Sequence, residues 1–347
     1  LHDVNSLRTS SGDPYRVFTP FWKRALSELH IPEPLPAPDL ESRAPSRWPA
    51  SEPLEGLGLL EDAGETTSRL ADNWDVSEEA GRVRLRTFIE ESLLDYDDAR
   101  DRPDHDGTSR LSPFLHSGFI SPATVWHEIR QWVRNGAMRY AADAYLRQIG
   151  WREFAYHLLH HFPHTTAQPL RGKFRDFGWE DDEESLERWQ RGETGYPFVD
   201  AGMRQLRQTG WMHNRVRMIV ASFLTKDLLI PWQRGARWFW ESLVDADLAN
   251  NTLGWQWTAG CGADAQPFFR IFNPVSQGRR YDPDGTYVRR FVPELARMPD
   301  RHIHAPWEAP ADVLSDAGVK LGTTYPQPMI DHAKARERAL ERYNQIR

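Results

Sequence analysis

The segment 245–257 constrains the fold of this chain most strongly. It reads Asp-Ala-Asp-Leu-Ala-Asn-Asn-Thr-Leu-Gly-Trp-Gln-Trp and follows an apolar, aromatic run at 238–244. Carboxylates beside such a run are costly to bury unless they are paired or bind a ligand. The segment fits a helix-capping loop, because Asp and Asn favour N-caps, and it also fits a site for a polar, planar cofactor. A metal loop fits poorly, since no closing Glu follows. Taken alone, the segment favours the capping loop.

The composition is that of an ordinary globular protein with unusually many tryptophans. Of 347 residues, 39% are hydrophobic, 27% are charged and fifteen are Trp. The single cysteine, Cys261, excludes an internal disulfide and fits a reducing compartment, so we expect a cytoplasmic protein. The sequence shows neither an apolar run of membrane-spanning length nor a signal peptide, so we expect no membrane association.

The pattern along the chain predicts an all-α, multi-helix fold after an N-terminal remnant. Residues 1–23 resemble the end of a preceding domain, 24–76 contain a Pro-rich stretch and predict a linker, and 77–347 carry helical periodicity. The chain begins with Leu1 rather than Met, so we expect a fragment. Ser77 is predicted to start a helix. The apolar stripe of this helix consists of Val83, Leu85, Phe88, Ile89 and Leu93.

A second helix is predicted over 213–230. Its apolar residues recur at three- and four-residue steps and predict a buried face. Asn214, Arg217 and Met218 share a different face, which is either solvated or lines a site.

Three clusters carry groups that suit chemistry. Segment 107–113 places hydroxyls and an Arg before a helix, which suits a phosphate, although an ordinary N-cap is the more common use. Segments 211–218 and 270–280 combine aromatic, amide and guanidinium groups, which suit an unstacked base and its phosphates. The net charge of −7 argues against indiscriminate nucleic-acid binding but leaves room for a local basic face. The histidines at 157–164 indicate a helix end with surface histidines, and no metal site is expected.

Taken together, these segments resemble the photolyase/cryptochrome family, specifically its helical FAD-binding domain and, within it, bacterial photolyases that act on cyclobutane pyrimidine dimers. The resemblance runs from 15–22 to 325–328. Its most specific motifs are Gly-Thr-Ser-Arg-Leu-Ser at 107–112, Trp-Arg-Glu-Phe at 151–154, Gly-Tyr-Pro-Phe-Val-Asp-Ala-Gly-Met-Arg at 195–204, Gly-Trp-Met-His-Asn-Arg at 210–215, Asp-Ala-Asp-Leu at 245–248 and Gly-Trp-Gln-Trp at 254–257.

The resemblance implies an FAD site, with the reduced flavin as the active form. It also implies that this chain holds only the tail of the upstream α/β antenna domain, so no antenna chromophore is expected. Arg217 and Asp245 would pair beside the isoalloxazine, and Asn251 would face flavin N5, where plant-type cryptochromes place Asp and animal-type ones Cys. The remaining implied cofactor residues are Tyr96, Thr108, Ser109, Arg110, Leu111, Ser112, Tyr145, Gln148, Arg152 and Asp247.

The resemblance further implies an electron-hopping chain and a lesion pocket. Trp255, Trp232 and Trp179 match the chain from flavin to solvent, with structural packing as the alternative for each. Trp151 and Trp257 would offer apolar faces to a flipped dimer, Met218 would pack on it and Asn214 would hydrogen-bond it. The residues matched to the DNA backbone are Arg100, Arg215, Gln277 and Arg280.

One position departs from the pattern of dimer-specific photolyases. Gln148 stands where these usually have a Glu that hydrogen-bonds the dimer. A (6-4) photolyase also has Gln there, but it needs a His pair where this chain has His213 and Asn214, so a cyclobutane dimer is favoured. A cryptochrome-like photoreceptor is a further alternative, disfavoured by Asn251 and by the short tail after residue 325. A helical nucleic-acid-binding protein without cofactor would leave the two aspartates unexplained. The predicted activity is light-driven repair of UV-damaged DNA by a monomer.

Overall fold

The chain forms a helical assembly with almost no β structure. The computed structural model describes residues 1–36, 38, 45–58, 70–75, 77–265 and 269–346. Within them, the only β pairing is an isolated bridge between Leu321 and Tyr325. The α-helices are α1 Phe18–Glu28, α2 Glu78–Glu91, α3 Tyr96–Ala99, α4 Ser112–His116, α5 Pro122–Trp132, α6 Gly136–His161, α7 Glu183–Arg191, α8 Pro197–Thr209, α9 Asn214–Ser222, α10 Trp232–Ser242, α11 Leu248–Ala259, α12 Pro274–Tyr281, α13 Thr286–Phe291, α14 Asp300–Ile303, α15 Ala311–Ala317 and α16 His332–Gln345. The all-α prediction is confirmed.

Shorter turns complete the described elements. A π-helical turn covers Phe223–Asp227, and the 3₁₀ turns are Leu54–Leu57, Pro163–Thr166, Gly172–Asp176, Pro293–Leu295 and Pro306–Glu308. No helix in the described ranges is long and apolar enough to cross a membrane. The predicted division at residues 23 and 76 stays a prediction. Part of its linker, at 37, 39–44, 59–69 and 76, lies outside the described residues.

Helix α2 starts as the sequence predicts. The Ser77 side chain accepts a hydrogen bond from the Ala80 amide and caps the helix. Leu85, Phe88 and Ile89 are buried, but Val83, which the sequence places in the same apolar stripe, is 48% exposed. Val83 lies two residues before Leu85, a spacing that turns it about 160° away from the buried stripe because a residue advances about 100° around a helix.

The predicted helix 213–230 is instead a short α-helix followed by a wider turn. Helix α9 ends at Ser222, and the π-helical turn then carries Thr225, Lys226 and Asp227 into the interior, all fully buried. The Lys226 ammonium donates to the Ala259 carbonyl at 2.7 Å and so binds the C-terminal end of α11. Asp227 pairs with His332 at 2.5 Å and anchors α16. The change from α-helix to π-helical turn therefore coincides with the tertiary contacts of two consecutive polar side chains, Lys226 and Asp227.

The long helix α6 connects two parts of the core. Its first half packs with α2, α5 and Trp211, while its second half packs against α1 through Phe154 and Leu158. Gly150 allows the close approach of α1, because a Cβ at this position would lie 2.6 Å from the Trp22 ring. The histidine prediction for this helix is wrong at His157, which is buried and accepts a hydrogen bond from the Tyr15 amide at 3.1 Å.

A buried carboxylate, Asp200, joins three segments of the C-terminal half. It accepts hydrogen bonds from the Thr194 amide and hydroxyl, the Gly195 amide and the Tyr325 hydroxyl, the last at 2.6 Å. Burial raises the pKa of this carboxyl group, and the bonds from Thr194 and Tyr325 act against that rise. Because a buried charge without partners is very costly, these donors fix the turn before α8 and the chain after α15 to each other.

Replacing Tyr325 by Phe should therefore destabilise the fold. The variant removes one donor to a buried carboxylate, and we expect a loss of about 1.5–3 kcal/mol in the free energy of unfolding, measured by urea titration. Tyr343→Phe is the matched control, since this half-buried ring stacks on Phe269 rather than on a carboxylate. Equal stability of the two variants would contradict the assigned role of the Tyr325 hydroxyl.

Candidate functional site

A central cavity of about 490 Å³ lies among α6, α9, α10 and α11. The side chains of α9 reach it because the apolar face of this helix is turned into the core, which leaves Asn214, Arg217 and Met218 on the cavity side. Of the two alternatives that the sequence left open for this second face, the structure favours the one in which it lines a cavity. Of the residues predicted to act, the cavity brings together Arg100, Gln148, Trp151, Asn214, Arg215, Arg217, Met218, Asp245, Asp247, Asn251, Trp255 and Trp257.

An ion pair between Arg217 and Asp245 forms one part of the cavity wall. One guanidinium nitrogen of Arg217 lies 3.0 and 2.8 Å from the two carboxylate oxygens of Asp245. The Arg217 Nε donates to the Met212 carbonyl at 2.8 Å, which fixes the plane of the guanidinium. The Asp245 side chain is only 3% exposed, so the charges are largely removed from water. A held, polarised pair of this kind can orient a polar ligand without moving itself.

Asp247 is both a helix cap and part of the cavity. It accepts from the Asn250 amide at 2.8 Å and so caps α11, as the capping interpretation of the sequence requires. Its other oxygen accepts a 2.5 Å hydrogen bond from the Tyr156 hydroxyl. Burial alone would raise the pKa of Asp247, but the bonds from Tyr156 and Asn250 outweigh burial and lower it. Asp247 therefore enters the cavity as a carboxylate.

Tyr156 is a site residue that sequence reasoning missed. Burial and the adjacent Asp247 raise the pKa of its hydroxyl to about 12, so it stays a donor. The Arg152 guanidinium lies 4.6 Å from the centre of the Tyr156 ring. Arg152 is outside the cavity lining and contacts the site through this ring. The periodicity of α6 could have placed Tyr156 near Arg152 and Trp151, but not its partner, which lies 91 residues away.

Asn251 and Trp255 lie on the same helix and present two different groups. The Asn251 amide nitrogen donates to the Ala236 carbonyl at 2.8 Å, so its side-chain oxygen is the atom left to accept from a ligand. Trp255 is 2% exposed, and its Nε1 has no hydrogen-bond partner among the described residues. Buried indole N–H groups usually have a partner, so this donor is available to a molecule bound in the cavity.

The other two predicted tryptophans lie away from the cavity lining. Trp232 is 2% exposed and belongs to the main core, whereas Trp179 is half-buried and packs on Phe177 with ring centres 4.4 Å apart. Burial thus decreases from Trp255 and Trp232 towards Trp179.

The segment 107–112 lies beside the cavity rather than in its lining. Helix α4 begins at Ser112 without any side-chain cap, so the ordinary N-cap interpretation of this segment is wrong. Ser109 accepts from the Tyr145 hydroxyl at 2.8 Å, and the Tyr145 ring packs edge-on against Tyr96. Leu111 is fully buried, Thr108 half-buried and Ser112 exposed.

Trp211 connects this segment to the cavity. Its indole N–H donates to the Ser112 hydroxyl at 3.4 Å, and its ring lies 5.0 Å from the Arg110 guanidinium and 6.0 Å from that of Arg217. Trp211 thus packs between the segment that carries the hydroxyls and the Arg217–Asp245 pair.

Phe18 is a second residue that the sequence did not reveal as part of the site. Its ring stacks on Trp151 with centres 3.8 Å apart and planes 7° apart, and Arg147 covers it at 4.7 Å. Phe18 is fully buried and belongs to the segment predicted to be the tail of another domain. The aromatic run at 18–22 was the available signal, but only the tertiary structure shows that it supports Trp151 from behind.

The predicted DNA contacts divide into two groups. Arg100 and Arg215 line the cavity, and Arg215 pairs with Asp101 at 2.5 Å. Gln277 and Arg280 lie on α12, outside the lining. Tyr281 joins the groups, because its ring lies 4.6 Å from the Arg215 guanidinium and 5.1 Å from that of Arg280. Arg215 and Arg280 therefore lie on one tyrosine ring at this side of the cavity.

Removing the Tyr156 hydroxyl should destabilise the chain in a pH-dependent way. We expect Tyr156→Phe to lose about 1.5–3 kcal/mol at pH 7, because Asp247 loses a donor to its charged form. The pKa of Asp247 is lowered in the folded state, so its contribution is present above the unfolded pKa and lost as pH falls through the folded one. The difference from wild type should therefore shrink in strongly acidic solution. Urea titration at several pH values measures it.

Tyr140→Phe is the control, since that hydroxyl donates to exposed Asp97. A Tyr156→Phe effect that stays constant down to acid pH would show that the hydroxyl does not act through the Asp247 carboxylate.

Comparison with known proteins agrees with this geometry. A family model described as the FAD binding domain of DNA photolyase matches residues 145–345. A deoxyribodipyrimidine photo-lyase of Agrobacterium fabrum is 51% identical over all of this chain and 72% of its own length. Cryptochrome-1 of Arabidopsis thaliana is 42% identical over 97% of this chain and 50% of its own length. The crystal structure of a bacterial class III photolyase from Agrobacterium tumefaciens aligns with a TM-score of 0.90 and 50% identity, over 99% of this chain and 71% of that one. The chain belongs to the DNA photolyase family and contains its FAD-binding domain.

Proposed function

We propose that this chain is a deoxyribodipyrimidine photo-lyase that binds reduced FAD and splits cyclobutane pyrimidine dimers in UV-damaged DNA. One observation carries the proposal: a single cavity combines a polar wall suited to a flavin with an aromatic wall suited to a flipped dinucleotide. The polar wall contains Arg217, Asp245 and Asn251, and the aromatic wall contains Trp151 and Trp257. The low cysteine content fits a cytoplasmic enzyme, and we propose that it acts as a monomer without an antenna chromophore in this part of the chain.

The residues of the polar wall fit FAD. The Asn251 oxygen can accept from a ring N–H, the Arg217–Asp245 pair offers both a donor and an acceptor edge, and the Trp255 N–H lacks a partner in the described part of the chain. Ser109, Arg110 and Tyr145 lie beside the cavity, and we assign them to the phosphates and ribityl chain, where the positive charge of Arg110 suits an anion. Bound FAD in its reduced, photoexcited form supplies the electron for ring splitting.

The aromatic wall fits a dimer turned out of the duplex. Flipping costs a few kcal/mol, less for a damaged and already unstacked pair. Each base stacked on an aromatic ring returns about 1–3 kcal/mol. Trp151 keeps its ring plane because Phe18 stacks behind it, and Met218 adds a flexible apolar contact. Asn214 is exposed at the mouth of the cavity and can hydrogen-bond a base edge.

Gln148 determines which lesion this pocket favours. It lines the cavity, and its amide nitrogen donates within its own helix to the Ala144 carbonyl at 3.4 Å. A (6-4) photolyase is the alternative that Gln148 supports. His213 argues against it, because this residue accepts from the Arg215 amide as the cap of α9, is buried and lies outside the cavity lining. Burial lowers the pKa of His213 to about 4, so it is neutral near pH 7.

The three tryptophans support a route for electrons from solvent to the cofactor. Trp255 lines the cavity, Trp232 is equally buried and Trp179 is half-buried. We assign to them the reduction of resting, oxidised cofactor by light, with Trp179 as the solvent end. Packing alone does not require this decrease in burial along the series.

The first experiment is an absorption spectrum of the purified chain, followed by illumination with dimer-containing DNA under reducing conditions. Bound flavin with light-dependent loss of dimers supports the proposal. Bound flavin that repairs (6-4) photoproducts instead would replace the lesion assignment. Flavin that is photoreduced without repair of either lesion would favour a cryptochrome-like photoreceptor, and a chain that binds no added FAD would overturn the proposal.

Replacing Trp255 by Phe should separate photoreduction from repair. A phenyl ring is much harder to oxidise than indole, so we expect photoreduction of oxidised FAD to slow by about tenfold or more, equivalent to at least about 1.4 kcal/mol in the barrier. Repair by chemically pre-reduced enzyme should be largely retained. Transient absorption and dimer repair measure the two activities. Trp240→Phe, at a 48% exposed ring, is the control. Parallel loss of both activities would refute the assigned role.

Replacing Gln148 by Glu should raise the yield of dimer repair. A carboxyl group beside Trp151 would have a raised pKa and could donate a stronger hydrogen bond to the dimer than an amide does. We expect about a twofold to tenfold increase in repair per absorbed photon, since a stronger hydrogen bond is worth about 0.5–1.5 kcal/mol. Gln208→Glu, at an exposed position, controls for added charge. An unchanged or lower yield would show that the pocket is adapted to Gln.

A further inference from the structure

A second depression, of about 770 Å³, lies beside the central cavity between α1, α3, α5 and α6. The two depressions share Arg100, Gln148 and Trp151 in their linings, so they lie directly beside each other. We call the second depression the α5–α6 basin. Apart from the shared Gln148, its lining contains none of the residues matched to flavin binding. It also contains neither of the DNA-contact residues on α12, Gln277 and Arg280.

The basin is cationic. It is lined by four arginines, Arg100, Arg130, Arg139 and Arg147, and by two aspartates, Asp97 and Asp143. Arg130 pairs with Asp143 at 2.6 Å. In the ranges that the structure describes, neither Arg139 nor Arg147 forms an ion pair; Arg147 instead lies 4.7 Å over the Phe18 ring. Positive charge that the chain does not neutralise itself is available to an external anion.

The basin also holds an exposed aromatic ring. Tyr140 is 65% exposed, and its hydroxyl donates to Asp97 at 2.8 Å, which restrains the ring. Tyr140 and Arg139 are neighbours on the first turns of α6, and Arg147 lies two turns further along the same helix. Restrained aromatic rings interleaved with arginines are the arrangement that binds single-stranded nucleic acid, with bases stacked and phosphates paired.

We propose that the α5–α6 basin binds the strand that flanks the lesion, holding its phosphodiesters with Arg139 and Arg147 and stacking a base on Tyr140. The proposal rests on the proposed function, because the lesion in the central cavity fixes where the flanking strand begins. Arg215 and Arg280 then hold the backbone on the α9 and α12 side of the cavity, and the basin holds it on the α6 side. Such contacts raise affinity without reading sequence.

The test is the salt dependence of binding to a dimer-containing oligonucleotide with long flanks, measured by fluorescence anisotropy on the FAD-loaded chain. Losing one phosphate contact should lower the slope of log affinity against log salt by about 0.7–0.9 and the affinity near 0.1 M salt by about fivefold in Arg139→Gln. Arg336→Gln is the matched control, since Arg336 is an exposed arginine on α16. A slope in Arg139→Gln that equals the control slope would overturn the proposal.

Two further arms locate the contact. With an oligonucleotide cut back to the dimer itself, wild type and Arg139→Gln should have the same slope; a persisting difference would mean that Arg139 acts on the pocket and not on a flank, which overturns the proposal. Tyr140→Ala should lose about fivefold or more in affinity at every salt concentration, because stacking carries no counterion term.

Repair at saturating DNA is measured in the same wild-type samples. If wild type repairs dimers but Arg139→Gln has the same slope of log affinity against log salt as wild type, the DNA-binding role of the basin is overturned and the proposed function is not. A lowered slope without repair of any dimer would overturn the proposed function and leave the basin as a nucleic-acid surface.

Discussion

The ion pair between Arg217 and Asp245 is the interaction on which the cavity depends. It crosses from α9 to the loop before α11, and both groups are largely removed from water. Neither charge is tolerable there alone, so the pair holds the two helices at a fixed separation. That separation sets the relative positions of the other side chains that line the cavity. These are Asn214 and Met218 on α9 and Asn251 and Trp255 on α11. A concave surface lined by polar atoms can then persist within a tightly packed core.

The two interpretations of segment 245–257 are compatible. Asp247 caps α11 and also receives the Tyr156 hydroxyl, because a carboxylate has two oxygens with several acceptor positions. A helix start placed at a cavity therefore lets one aspartate cap the helix and also line the cavity. At the start of α9 the cap has one role only. His213 accepts a hydrogen bond from the Arg215 amide and lies outside the cavity lining.

Local patterns predicted the elements well and their long-range contacts poorly. The helix start at Ser77 follows from spacing along a single helix and is confirmed. The same spacing separated a second face of α9 from its apolar face and left two alternatives for it, and the structure places this second face at a cavity. The π-helical turn was missed because its cause lies in partners far along the chain, Ala259 for Lys226 and His332 for Asp227. Twelve of the residues predicted from the family resemblance line one cavity. The resemblance did not point to Tyr156, whose hydroxyl bonds Asp247 at a distance of 91 residues along the chain.

The stack of Phe18 on Trp151 bears on where this protein can be divided. Seen along the sequence, α1 stands before the Pro-rich stretch and apart from the helices that line the cavity. In space it is an inner layer of the pocket wall, held by Phe154 and by the close approach at Gly150. A shortened chain beginning at residue 77 would keep every residue of the central cavity and would still lose the support behind Trp151. The orientation of Trp151 therefore depends on a helix that lies outside the segment lining the cavity, and a shortened chain has to include α1 to preserve it.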